Sequence, residues 1–155
     1  MDAVLLGPGD GETLAAPNAP TVVHKVRGEA TGGRLAIVDY VVPHRFAGPA
    51  MHRHEFEESF YVLEGNLRLR VGDEEAELAP GAFAHVPGGV AHSFWNPSDR
   101  PARFLITMAP AGFERFFEEA MAEARKAGGV PPPDVMARLN AAHGVEVVGP
   151  PPGAG

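Results

Sequence analysis

Three histidines and one carboxylate lie at spacings in this chain that suit a single metal ion. His52 and His54 stand two residues apart in HRHEFEESFYVLEG (52–65), so on a strand both project from one face. Glu58 has the same parity, and Phe60 and Val62 continue that face toward Gly65. His92 comes from a second stretch, GAFAHVPGGVAHSFWN (81–96), after a Pro-x-Gly turn that ends one strand and begins another. Three imidazoles and a carboxylate make a mixed nitrogen and oxygen set suited to a divalent first-row metal. The set accepts iron, nickel, manganese, cobalt, copper or zinc, and ligand type alone does not choose among them. Glu57 competes for the carboxylate role, but its strand parity is wrong unless a bulge intervenes.

At these residues the chain resembles the cupin superfamily. The first cupin motif reads Gly-x5-His-x-His-x3–4-Glu-x6-Gly, and His52, His54, Glu58 and Gly65 fall at its spacings. Its leading glycine is displaced: the pattern places it at Phe46, and the nearest is Gly48. The second motif reads Gly-x5-Pro-x-Gly-x2-His-x3-Asn, matched by Gly81, Pro87, Gly89, His92 and Asn96. The six-residue spacing to Gly65 selects Glu58 over Glu57, leaving Glu55, Glu57 and Glu64 as solvated rim charges. His24, His44, His85 and His143 are expected to be surface or hydrogen-bonded residues, with His85 the candidate to line the barrel.

The elements that must position these groups are short strands. Strands are expected over 22–26, 34–42, 59–63, 66–71, 75–78, 82–86, 92–96 and 103–108, and 43–50 reads as the loop feeding the site. Residues 1–20, rich in Gly, Pro and Asp, should form an extended arm with at most one short strand. So many short strands argue for a β-sandwich or jelly-roll barrel, and the resemblance implies the latter. The fold class is therefore all-β: a cupin jelly-roll barrel (a double-stranded β-helix) over 1–110, arm included, with a C-terminal helical extension over 111–149.

In that extension Phe113, Phe116, Phe117, Ala120, Met121 and Ala124 recur at helical spacing, while Glu114, Glu118, Glu119, Glu123 and Arg125 take other faces. The helix is expected to lay its Phe stripe on the outside of the barrel and to stop at Gly128-Gly129. A second helix over 135–142, capped by Asp134, and an edge strand over 145–148 should follow. The tail at 150–155 reads as disordered.

A chain of 155 residues fits one domain with its own core. With a net charge of −7 and no basic block, neither a nucleic acid nor an anionic membrane is an expected partner. Cysteine is absent, so neither disulfides nor thiolate ligands contribute. No signal peptide or membrane-spanning run is read in the sequence, so a cytoplasmic location is expected.

The order TGGRL, HRHEFEESFYVLEG, GAFAHVPGGVAHSFWN and PAGFERFFEEA is similar to bacterial single-domain cupins of the quercetin 2,3-dioxygenase type. That resemblance implies one divalent metal held by His52, His54, Glu58 and His92, and oxygenolytic cleavage of a flavonol. It also implies a second duty for Glu58, as the base that accepts the substrate's enol proton. Met51, Phe60 and Phe94 are candidates for an apolar pocket wall, with barrel core as the alternative. The implied partners are a small-molecule substrate and O₂, and paired sheets allow a homodimer. A non-oxidative metal-dependent cyclase, isomerase or hydrolase, or a binder that turns nothing over, is the alternative function, since fold does not settle chemistry.

Overall fold

The computed structural model describes residues 3–155. Two antiparallel sheets face one another. The first has six strands in the order β1 (Glu12–Leu14), β2 (Thr21–Val26), β3 (Ala36–Val42), β10 (Ala102–Ala109), β5 (Glu57–Glu64) and β8 (Phe83–Val86). The second runs β11 (Glu146–Gly149), β4 (Met51–Arg53), β9 (His92–Trp95), β6 (Leu67–Val71) and β7 (Glu74–Leu78). This is the expected jelly roll, with each anticipated strand present.

Alternation explains which residues fill the interior. On β3 and β10, Val38, Tyr40, Phe104, Ile106 and Met108 are buried while their neighbours stay partly exposed, the period-two pattern of a half-buried strand, with the exception of Asp39, which is buried and paired with Arg103. Phe60, Phe94, Phe104 and Tyr40 form one aromatic cluster there, with ring centroids 5.4–6.0 Å apart. Close approaches at the turns need glycine: a Cβ on Gly65 (φ +69°) would lie 2.4 Å from the Pro101 carbonyl oxygen.

Helix α2 (Glu114–Ala127) ends as expected at Gly128, whose φ of +71° lets its N–H reach the carbonyls of Ala124 and Arg125. Its apolar stripe does not lie on the barrel's outside. Phe117 stands 5.5 Å from the interior Tyr40 ring and joins Met121 and Ala124 in the main core, so the helix packs into the interior. Glu114 is also not a solvated charge: it is buried and accepts hydrogen bonds from the N–H groups of Gly28 and Gly112, at 2.9 and 2.6 Å. Burial opposes its ionisation, but those bonds more than offset this and hold its carboxyl below the usual range.

The short helix α1 (Gly28–Thr31) connects β2 to β3, and α3 (Pro133–Ala142) covers the second expected helix. Asp134 is not its cap. Pro132 holds that position, and Asp134 sits in the first turn, paired with Arg138 at 3.1 Å. The edge strand forms as β11, but the tail expected to be disordered docks instead. Pro152–Ala154 make a 3₁₀ turn, with Gly153 so close to the Ala47 carbonyl and Trp95 that a Cβ would lie within 3 Å of both. Three consecutive prolines, Pro150, Pro151 and Pro152, limit the chain entropy that docking must overcome, which composition alone did not convey.

Candidate metal centre

Each of the two motifs crosses from one sheet to the other. His52 lies on β4, paired in register with His92 on β9, and Glu58 lies on β5 of the other sheet. The strand is not continuous between them, as the parity argument assumed: it breaks at 54–56, where the chain bends from one sheet to the other. Glu58 still points inward, 4% exposed, and Glu57 faces solvent.

His52, His54 and His92 place ligand atoms within 4.8 Å of one another. The Nδ1 of each ring meets a backbone carbonyl: Ala50 for His52 at 2.7 Å, Phe56 for His54 at 3.0 Å and Val90 for His92 at 2.9 Å. A carbonyl only accepts, so each Nδ1 carries the hydrogen and the neutral ring turns the Nε2 lone pair inward. One carboxylate oxygen of Glu58, Oε2, lies 3.1 Å from Nε2 of His54 and 2.9 Å from Nε2 of His92. Lone pairs and a carboxylate oxygen thus converge in a buried place, an arrangement that demands a cation or a proton among them. The donor set fits a divalent transition metal.

The electrostatics agree. Burial raises the Glu58 carboxyl, yet protons donated to it from Nε2 of His54 and His92, in place of a metal ion, more than reverse this and hold it below the usual carboxylate range. Burial also lowers His52, to about 4, with His92 adding to the effect, so this ring is neutral near pH 7.

The family model for the cupin domain matches residues 37–108. Residues 37–108 form a cupin domain. Over 67 residues this cupin is 37% identical to quercetin 2,3-dioxygenase of Bacillus subtilis, a match covering 43% of this chain and 20% of that protein. The chain spans 20% and 53% of the lengths of two curated relatives it matches. A crystal structure from Thermus thermophilus is 33% identical, with a TM-score of 0.54, covering 63% of this cupin and 90% of that chain. The polyketide cyclase RemF from Streptomyces resistomycificus shares the fold at a TM-score of 0.57 and 24% identity, over 68% of this cupin and 78% of that chain.

Other motif positions of this cupin prove structural. Asn96 is fully buried; its amide donates to the carbonyls of Pro43 and Arg100, and its Oδ1 accepts from the N–H and Oγ of Ser98. Gly89 donates its N–H to the carbonyl of His54 at 2.7 Å, so the second motif's turn holds a histidine of the first motif in place. The displaced Gly48 has φ +82°, and a Cβ there would lie 1.9 Å from the Phe94 carbonyl oxygen. It carries the close approach of the entering loop to β9.

Of the expected wall residues, Phe60 and Phe94 are packed into the aromatic core, while Met51 is half-buried beside Gly149 of β11. His85 does not line the barrel: it is exposed and meets Ser59 Oγ at 3.1 Å. His44 is exposed and His143 pairs with Glu119. His24 departs from expectation, being 3% exposed with neither ring nitrogen hydrogen-bonded. Burial lowers its pKa, with nearby Arg27 adding to the effect. Sequence reasoning missed Phe56 and Phe113, whose rings lie beside His54; the aromatic at the bend was the available signal.

Proposed function

We propose that this cupin is a metal-dependent dioxygenase that cleaves a flavonol-like or other enolisable aromatic substrate with O₂. The observation that carries the proposal is the convergence of three Nε2 lone pairs and Oε2 of Glu58 in one buried place. The 67-residue segment that is 37% identical to a quercetin 2,3-dioxygenase supports the substrate class.

His52, His54, Glu58 and His92 would hold one divalent ion of iron, nickel, manganese, cobalt, copper or zinc. Such an ion, when bound, supplies Lewis acidity toward an enolate oxygen and a place to bring O₂ beside it. The protein's own residues do the rest. The carbonyls of Ala50, Phe56 and Val90 fix the ring tautomers, so no histidine must rearrange to ligate. Glu58, kept ionised, is the base that takes the enol proton on a carboxylate oxygen at hydrogen-bond distance from the substrate. Met51 would offer an apolar wall to the substrate, while Phe60 and Phe94 pack in the core behind the site.

The test is oxygen uptake with a panel of flavonols, on protein reconstituted separately with each metal. Uptake that depends on the metal and falls with Glu58→Gln supports the proposal. No uptake by fully loaded protein removes it and favours a non-oxidative cupin or a small-molecule binder.

A further inference from the structure

His52 and His92 sit within strands and bond their Nδ1–H groups to carbonyls two residues back, at Ala50 and Val90. His54 differs. It lies in the bend at 54–56 between the sheets, outside any strand, and bonds forward to the Phe56 carbonyl. No sheet ladder restrains its ring.

A second contact takes that role. The Phe56 ring lies on the His54 imidazole with centroids 3.6 Å apart and planes 2° from parallel. The carbonyl bond fixes which way His54 points in its own plane, and the stacked ring fixes the plane. Phe56 is backed in turn by Phe113, with centroids 4.8 Å apart, and Phe113 stacks on Phe116 at 4.8 Å and 11°. Phe113 is itself anchored, because the next residue is Glu114, tied to Gly28 and Gly112. Phe113 lies outside residues 37–108, so a part of the chain beyond the matched domain reaches a ligand inside it.

We infer that Phe56, backed by Phe113 at the start of α2, is a positioning residue that sets the His54 ring for metal binding. This rests on the proposed metal role of His54. Its consequence is that α2 governs the affinity of the centre without contributing a ligand.

The test uses full-length protein with three substitutions, Phe56→Leu, Phe113→Leu and Phe56→Tyr. Two readouts apply: the cobalt dissociation constant, by competition with a chromophoric chelator, and the His54 tautomer in metal-free protein, by imidazole ¹⁵N NMR. Phe56→Leu should weaken cobalt binding by about ten- to a hundredfold and give His54 a mixture of tautomers. Phe113→Leu should act in the same direction, more weakly, and decides the matter if Phe56→Leu does not fold. Phe56→Tyr keeps the ring and should bind like wild type. Unchanged affinity and a single His54 tautomer in both leucine variants would overturn the inference. Wild-type protein that takes up no cobalt would instead sink the metal role, while the NMR readout still judges the stack.

Discussion

Oε2 of Glu58 lies 2.9 Å from Nε2 of His92, although 34 positions separate them and each belongs to a different sheet. This contact joins the two halves of the jelly roll at their most polar point. It places an ionised carboxylate against a ring nitrogen whose hydrogen is committed elsewhere.

Glu58→Gln keeps the shape but removes the charge. Metal affinity should fall beyond the roughly 10–100-fold typical of losing an outer partner. Glu57→Gln, at an exposed position, should leave affinity unchanged. Isothermal titration with zinc on both variants measures this, and equal effects would argue against the assignment of Glu58.

Metal-free protein should lose stability in acid in two stages. His52 is depressed from 6.5 to about 4, so the unfolded chain binds its proton first and stability declines as pH falls across that window. Glu58 is depressed below 4.5, so its contribution is present above that value and is lost at lower pH. Melting temperatures of EDTA-treated protein from pH 8 to pH 3 read both, and His52→Ala should flatten the first stage. A flat profile between pH 6.5 and 4 in the wild type would contradict it.

Gly48 tests the displaced motif glycine. With φ +82° and no room for a Cβ against Phe94, Gly48→Ala should destabilise by at least ~2 kcal/mol, a fall of roughly 4–8 °C in Tm. An unchanged Tm would mean that the entering loop moves freely off β9.

Phe60 separates core from pocket. It is fully buried against Phe94 and Phe104, so Phe60→Ala should cost about 3–5 kcal/mol by leaving a cavity. Phe60→Leu should be folded and, if Phe60 also lines the substrate site, should raise KM for an aromatic substrate. A KM unchanged by Phe60→Leu would restrict Phe60 to the core.

The sequence carried the converging histidines and the positions of the strands along the chain because both follow from spacing. His52, His54 and His92 needed only motif distances, and alternation placed Phe60 and Val62 inward. Glu58 points inward as its parity predicts although the strand is broken at 54–56, since the bend preserves that direction. What failed was tertiary context. Glu114 and His24 look like ordinary surface residues until α2 folds over β2, and only then are they buried. The stacking of Phe56 on His54 depends on the path of a bend, for which no periodicity exists. The docking of Gly153 depends on the shape of Trp95, a partner distant in sequence.

Elemental analysis of the purified protein, beside His52→Ala, tests the centre most directly. About one equivalent of a divalent transition metal should be found in the wild type and lost in the variant. No metal in the wild type, even after reconstitution, would mean that the three imidazoles and Glu58 share protons rather than a metal ion.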